Sequence, residues 1–535
     1  MPVLFLRSRD TVCDIPFTTG QSVRDILDAT GNRVRSGCNG SGACGMCRVR
    51  VVSGNVSGPT AREQFFLDEY QRARGVRLAC QLVPDADLGI EILSPARKSA
   101  WRSIPPETVY PLRDGAFRGT RSAPDRGEDA YGIAVDLGTT QISLSLLSLG
   151  TGRRLAGRCG WNPQEEAGAD VMTRLVTAAG SRERAGKMSG EVVRAIGEGM
   201  HDIASREGID LGMVSHLAIV GNTAMLALLA GRNYELLVRP ETWMGTIDCM
   251  PGDTGPWKTA WEIPADAAVE VLPPVGGFVG SDLLAGVLGT GLAESTKPGL
   301  LIDFGTNSEI ALWDGRNLLV TSAAGGPAFE GCGIRCGLPA EPGAICRVRF
   351  DGGVAETLTI AGEAACGICG TGIIDLIAGL VRSGILNEKG RFAPAYAESG
   401  FVLSGGEPVL LLEKGDVDLF QRAKAAVGAG VQALMRKAGT GYPDLDRVFV
   451  GGTFGKSLDT VNAAALGLLP PVHPCRIELC GNTALAGCEL ALLSPEALGR
   501  LSRLRKQARV INLASHPDFD DIYLENLYLR PQVSV

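Results

Sequence analysis

Cys38, Cys44 and Cys47, in the run Cys-Asn-Gly-Ser-Gly-Ala-Cys-Gly-Met-Cys, and Cys80, in Arg-Leu-Ala-Cys-Gln, have the types and spacing to hold a [2Fe-2S] cluster and so to carry an electron. The plant-type pattern is Cys-x4-Cys-x2-Cys with a distant fourth cysteine; here the first gap is five residues. Two irons need four thiolates, and three of these lie on one loop. Its glycines, Gly37, Gly40, Gly42 and Gly45, let the backbone wrap a cluster closely and donate N–H groups to its sulfurs. Zinc is the rival ion, but structural zinc sites come as two close cysteine pairs. Only Cys44 and Cys47 form such a pair.

The elements that must position this loop are readable on either side of it. Strands are expected at Val3 to Arg7 and Thr11 to Phe17, then a helix opened by Ser22 with Asp25 three residues on. After the loop come a strand from Arg48 to Val52, a capping box at Thr60-Ala-Arg-Glu63 that starts another helix, and a closing strand from Leu88 to Leu93. That order is the order of a β-grasp ferredoxin, occupying residues 1–94.

A second set of candidate residues recurs beyond it. Tyr131-Gly-Ile-Ala-Val-Asp-Leu-Gly-Thr-Thr140 is an apolar strand ending in Asp136 and a tight turn, followed by a strand from Ile142 to Leu147. Leu300-Leu-Ile-Asp-Phe-Gly-Thr-Asn-Ser308 repeats the plan with Asp303. In each turn, Gly138 or Gly305 lets the backbone approach a phosphate, and Thr139, Thr140, Thr306 and Asn307 offer donors to its oxygens. Asp136 and Asp303 stand at strand ends, where a carboxylate holds Mg²⁺ through water or orients an attacking water. The later run Val450-Gly-Gly-Thr-Phe-Gly455 supplies Gly451, Gly452 and Phe454 for an adenine or ribose. The duplication implies two similar lobes, about 131–298 and 299–535, facing each other across an ATP cleft.

At 535 residues the chain has room for several domains. Residues 95–130, dense in Pro, Arg, Gly and Ser, read as a linker. No stretch approaches the roughly 18 apolar residues of a membrane helix, and the N-terminus is too short an apolar run for a secretory signal, so a cytoplasmic address is expected. Of the 15 cysteines, those beyond the cluster set are scattered as reduced, buried thiols would be. A net charge of −7 with no basic tract argues against nucleic acid. Cys332-x3-Cys336 and Cys366-x2-Cys369 are weaker candidates for a second metal site, Glu330 for a water-orienting carboxylate, and Glu309 reads as the exposed face of a strand.

The chain resembles the reductive activators of corrinoid proteins. In these a [2Fe-2S] ferredoxin domain precedes an ATPase domain of the superfamily that includes acetate and sugar kinases, heat-shock chaperones and actin. The stretches that carry the resemblance are Tyr131 to Thr140, Trp161-Asn-Pro-Gln-Glu-Glu-Ala-Gly-Ala-Asp170, Val220-Gly-Asn-Thr-Ala-Met225, Gly325-Gly-Pro-Ala-Phe-Glu-Gly331, Gly367 to Asp375, Val450 to Pro470 and Ile511 to Leu529. The resemblance implies an α+β and α/β multidomain protein whose duplicated second part has the RNase H-like, actin/hexokinase-type fold. It implies ATP-dependent one-electron reduction of a Co(II) corrinoid to Co(I). The corrinoid belongs to a partner protein of a methyltransferase system, and an upstream donor supplies the electron; a homodimer stays open. None of the four histidines lies in an Asp-x-His-x-x-Gly context that would ligate cobalt in this chain itself.

Two departures from the family pattern stand out. Such activators carry a middle domain before the first Asp-x-Gly-Thr, where this chain has only the linker. Relatives with extra clusters carry a C-terminal cysteine-rich ferredoxin, and here no cysteine follows Cys488. The competing readings are a small-molecule kinase fused to a redox-sensing ferredoxin, an ATP-gated docking protein without turnover, and an ATP-gated donor to another low-potential enzyme.

Overall fold

Strict alternation in the first strand, with Leu4 and Leu6 fully buried and Phe5 exposed, seats it over a core on one face only. In the computed structural model, which describes residues 1–8, 11–30, 32, 34, 40–94, 101–104, 130–168, 170–325, 327–331, 333–351, 354–404, 409–452, 454–455 and 457–533, the first unit comprises Met1–Ala100 and Pro163–Thr177. Its strands β1 (Val3–Ser8), β2 (Thr11–Pro16), β3 (Arg48–Ser53), β4 (Val76–Leu78) and β5 (Leu88–Ile92) form one sheet in the order β2-β1-β5-β3-β4. The first and last strands pair in parallel at its centre, which is the β-grasp arrangement expected.

The helices Val23–Asp28 and Ala61–Phe66 open with the expected reciprocal caps, Ser22 with Asp25 and Thr60 with Glu63. Glu63 does more than cap. It is fully buried and pairs with Arg77, Nε to Oε1 at 2.8 Å, while accepting from the Leu78 N–H at 2.9 Å. Breaking such a buried pair leaves an uncompensated charge, so the helix is fastened to β4 just ahead of Cys80.

The second unit, Trp101–Asn162 and Ala178–Val535, holds the duplication. Its first lobe has β6 (Arg102–Ser103), β7 (Tyr131–Leu137), β8 (Gln141–Ser148), β9 (Arg154–Trp161), β10 (Val214–Gly221) and β11 (Ala268–Val271), ordered β11-β10-β7-β8-β9-β6. The second has β12 (Gly299–Phe304), β13 (Ser308–Trp313), β14 (Leu318–Ala323), a small sheet of β15 (Ala344–Asp351), β16 (Val354–Thr359) and β17 (Gly367–Ile368), a hairpin of β18 (Phe401–Ser404) and β19 (Leu410–Leu412), then β20 (Arg447–Gly452), β21 (Ile477–Gly481) and β22 (Arg509–Val510). Its main sheet runs β21-β20-β12-β13-β14-β22, the same plan over five strands; the sixth differs, because β22 pairs with β14 in parallel and β6 with β9 antiparallel. In both lobes an antiparallel meander carries the Asp-x-Gly-Thr turn between its first two strands, and a parallel strand flanks the first.

Two boundaries differ from those expected. The linker reading covered Trp101 to Ile104, yet β6 pairs with β9 there. Trp101 is buried against the backbone at Gly160, so its indole draws the end of the stretch into the lobe. The rest of 95–130, apart from Ala130, lies outside the described residues. Pro163–Thr177, which sequence placed in the first lobe, folds with the first unit. Among the described residues no helix is long and apolar enough to cross a membrane.

Candidate functional site

Three of the four predicted cluster ligands are described; Cys38 lies outside the described residues. Cys47 is buried, with Cys44 and Cys80 half-buried. The Cys47 thiol hydrogen-bonds to Cys80, and this bond, with burial and the nearness of Cys80 and Cys44, pushes its pKa well up. Like groups that crowd one another this way in a protein without metal are what a cation relieves, since ligating thiols are deprotonated.

The loop around them is wrapped tightly enough to exclude side chains. At Gly45 (φ +65°) a Cβ would sit 2.5 Å from the Phe66 ring, and at Gly40 (φ +84°) 2.6 Å from Arg24 Nη1. Arg48 Nε donates to the Gly45 carbonyl at 3.2 Å. Soft donors converging in a glycine cradle flanked by guanidinium groups suit an anionic iron–sulfur cluster.

The ATP-site candidates are brought together as a pair of facing turns. Thr140 Oγ1 and Thr306 Oγ1 are 2.9 Å apart, and Glu330 Oε2 accepts from both, at 3.0 and 3.2 Å. Glu330 therefore bridges the two lobes. Thr139 is buried, while Gly138, Gly305 and Asn307 are half-buried beside these threonines in the same turns.

Asp136 and Asp303 sit half-buried at the strand ends. Burial pushes both up to about 7; Asn482 opposes the shift on Asp136, and the neighbouring Asp282 adds to both. Asn482 Nδ2 donates to Asp136 Oδ2 at 2.7 Å, and Thr483 Oγ1 to Asp303 Oδ2 at 3.4 Å. Two further carboxyls complete the floor. Glu309, expected on an exposed face, is 6% exposed because β13 is a central strand covered on both sides. It shares a hydrogen bond with Asp282, and burial together with this like-charge neighbour holds it well above the usual carboxylate range. None of the four has an ion-pair partner among the described residues, so their mutual repulsion fits a divalent cation such as Mg²⁺.

Sequence reading missed Asp282, Asn222, Asn482 and Thr483. One signal was available, since Gly-Asn-Thr-Ala occurs at 221–224 and again at 481–484. Each asparagine caps a helix with its Oδ1, Asn222 on Thr223–Ala230 and Asn482 on Thr483–Leu493. Each then spends its Nδ2 on a carboxyl of the other lobe: Asn222 on Glu309 at 3.2 Å, Asn482 on Asp136 at 2.7 Å.

Gly451 and Gly452 lie on β20 directly beside Asp303 and Phe304. Gly452 has φ +79°, and a Cβ there would fall 2.3 Å from Asp303 Oδ1 and 2.1 Å from the Phe304 carbonyl. Gly452→Ala is expected to displace the Asp303 carboxylate, lowering stability by about 1–3 kcal/mol and nucleotide affinity at least about tenfold. Calorimetric titration with MgATP beside thermal unfolding measures both. The Phe454 side chain is 1% exposed, with its ring centroid 4.8 Å from Phe304 and 5.5 Å from Phe329. Of the weaker cysteine candidates, Cys332 lies outside the described residues, and Cys369 Sγ is engaged with Thr371 Oγ1 at 3.3 Å.

Family models match the chain in three stretches. Residues 9–85 match the family described as 2Fe-2S iron-sulfur cluster binding domain, 131–295 the RACo middle region, and 297–534 the C-terminal domain of RACo, the ASKHA domain. The middle region thus coincides with the first lobe, which corrects the expectation that this chain lacks one. The corrinoid activation enzyme RamQ of Eubacterium limosum is 30% identical over 434 residues, 77% of this chain and 72% of its own. The [Co(II) methylated amine-specific corrinoid protein] reductase of Methanosarcina barkeri is 29% identical over 429 residues, 74% of this chain and 76% of its own. A solved reductive activator for corrinoid, iron-sulfur protein aligns with a TM-score of 0.67 and 25% identity, covering 99% of this chain and 98% of that one. With its lobes, its ferredoxin part and most of the length of both relatives accounted for together, the chain belongs to the family of reductive activators of corrinoid proteins.

Proposed function

We infer that this chain catalyses the ATP-dependent one-electron reduction of a Co(II) corrinoid on a partner protein to Co(I). The observation that carries the reading is the union, in one chain related along its length to corrinoid activators, of a cysteine-lined loop and a two-lobed carboxylate floor. A bound [2Fe-2S] cluster supplies one-electron storage at low potential. ATP with Mg²⁺ supplies a phosphoanhydride whose binding and cleavage favour one arrangement of the lobes over another.

Each residue then has a task. Cys38, Cys44, Cys47 and Cys80 are the cluster ligands, with Arg24 and Arg48 placing positive charge against their loop. Gly138, Thr139 and Thr140 in one turn, and Gly305, Thr306 and Asn307 in the other, receive the phosphates with N–H and hydroxyl donors. Asp136 and Asp303 hold Mg²⁺ or its waters, supported by Asp282 and Glu309. Glu330, already accepting from both turn threonines, is placed to orient a water against the terminal phosphate. Asn482 and Thr483 position the two aspartates. Gly451 and Gly452 leave the nucleotide's sugar or base room beside Asp303.

The partner is a corrinoid protein of a methyltransferase system, and an external reductant reloads the chain after each transfer. Product analysis separates this from a kinase built on the same fold. With a Co(II) corrinoid protein present, ADP and free phosphate are expected; a phosphorylated metabolite would contradict the reading, and no phosphate release would leave only an ATP-gated docking protein.

A further inference from the structure

The cysteine loop of the first unit lies in a run of unbalanced charge. Residues 29–67 contain five arginines, Arg33, Arg35, Arg48, Arg50 and Arg62, and a single acid, Glu63. Glu63 is buried and spent on Arg77, while Arg50 pairs with Glu91 at 2.8 Å. Arg48 is turned onto the loop, its Nε on the Gly45 carbonyl. Arg33 and Arg35 lie outside the described residues and enter only through their sign. Arg62 differs from the rest: it is exposed, in the first turn of the helix Ala61–Phe66, and has no acidic partner among the described residues.

That helix lays two exposed side chains beside the loop. The Arg62 stem passes it at Gly42, with Cγ 3.4 Å from where a Cβ there would begin. Phe65, three residues on and so on the same helix face, is 61% exposed. Its ring meets Phe66 edge to face, with centroids 4.8 Å apart, and Phe66 is the ring that crowds Gly45. A free guanidinium and an open aromatic ring thus bracket Cys44 at the glycines before and after it. The loop's own outward residues here, Ser41 and Ala43, are small and exposed, so a second surface can come close. Arginine and aromatic rings are the side chains that protein interfaces concentrate.

We propose that Arg62 and Phe65 are the docking patch for an acidic electron-transfer protein that reloads the chain. Phe65 is the apolar anchor, and Arg62, backed by the arginine-rich run, steers the approach. In each encounter the donor's reduced centre loses one electron and the cluster held by the cysteines gains it; no bond forms or breaks. Such redox encounters use small, transient contact areas, which suits a patch of two side chains and a loop. The donor fits better than the corrinoid partner because the patch lies wholly within the first unit. Reloading needs that unit alone, whereas delivery is the step proposed to depend on nucleotide.

The inference rests on the cluster assignment made above. Its test uses the full, cluster-loaded chain and, as probe, a flavodoxin of strongly negative net charge, whose hydroquinone gives one electron and leaves as the semiquinone. Titration of the two oxidised proteins measures affinity, and rapid mixing with the hydroquinone measures reloading. Both are expected to weaken as salt rises. Arg62→Gln should slow reloading about threefold at low salt and Arg62→Glu about tenfold or more, the gap closing at high salt. Phe65→Ala should weaken affinity about fivefold or more with its salt dependence unchanged. Photoreduced deazaflavin, a small neutral reductant, should reduce all the variants at one rate, verifying that each is folded and loaded; a glutamate in the first turn of a helix also suits its dipole. No reaction with flavodoxin, reloading that ignores salt, or Arg62→Glu indistinguishable from the unaltered chain would overturn the proposal. Variants that reload normally but deliver slowly to a Co(II) corrinoid protein would also overturn it, assigning the patch to the acceptor. A chain that takes up no electron even from deazaflavin would contradict the proposed function itself.

Discussion

Cys47→Ser is expected to abolish the visible absorption and the reduced-state paramagnetic signal of the protein, and to slow corrinoid reduction at least about a hundredfold, a loss of roughly 3 kcal/mol or more in barrier terms. Cys47 is 2% exposed, packed in the core of the first unit and hydrogen-bonded to Cys80. A serine hydroxyl there keeps the volume and loses the soft thiolate that iron requires. Cys38→Ser should match it. Cys13 lies on β2, where its Sγ accepts from Asn32 Nδ2 at 3.4 Å, and Cys13→Ser should leave the cluster in place. The residues proposed for nucleotide hydrolysis lie in the second unit, so hydrolysis should persist in Cys47→Ser. A loaded cluster in Cys47→Ser, or a lost one in Cys13→Ser, would show that the ligand set is wrong.

Asp303→Asn is expected to move activity and stability in opposite directions. Removing the carboxylate takes away the cation ligand proposed above, and ATP hydrolysis should fall about 10²- to 10³-fold, the usual scale for deleting one preorganised charge contact. The same change relieves the protein without metal. Asp303 is held up to about 7 by burial and by Asp282. A carboxyl whose folded pKa is raised stabilises the fold below its unfolded pKa near 4, and this stability is lost as pH rises through about 7. In chelator, the unaltered protein should therefore lose thermal stability from pH 4 to pH 7.5. Asp303→Asn should flatten that loss and unfold at a higher temperature at neutral pH. Mg²⁺ with ATP should reverse the order, because it stabilises only the chain that retains its ligand. A variant both destabilised in chelator and fully active would mean that Asp303 is merely structural.

The sequence made legible the features whose signal is local. Ser22 with Asp25 and Thr60 with Glu63 mark helix starts because a capping box is complete within four residues. The two Asp-x-Gly-Thr turns announced a duplicated sheet because each is a contiguous strand and turn, and the two sheets share one strand order. What stayed hidden depends on contacts between distant segments. Asp282 opens a helix about 150 residues after Asp136, and nothing within its own stretch marks it as a neighbour of Asp303. Glu309 reads from its charge alone as the exposed face of a strand, and only the covering of β13 on both faces buries it. Phe454 was assigned to a ligand on its place in a glycine-rich run, whereas packing against Phe304 and Phe329 decides where its ring goes. Trp101 lay in a stretch whose composition signalled a linker, and a single indole overrode that composition. Pro163–Thr177 carried family-like residues, but its attachment to the iron–sulfur unit has no local signature at all.

The cluster and the carboxylate floor matter to each other only if electron delivery is uphill. Plant-type [2Fe-2S] centres lie near about −400 mV, and each ~59 mV of deficit costs tenfold in a one-electron equilibrium. A partner cobalt harder to reduce than that stays Co(II) unless nucleotide binding favours an arrangement that shifts the balance. The decisive measurement mixes cluster-loaded, pre-reduced protein with a Co(II) corrinoid protein without oxygen and follows loss of the Co(II) absorption with and without MgATP. Reduction that proceeds substantially with ATP and stalls without it is the predicted result. The same rate and extent in both mixtures would contradict it.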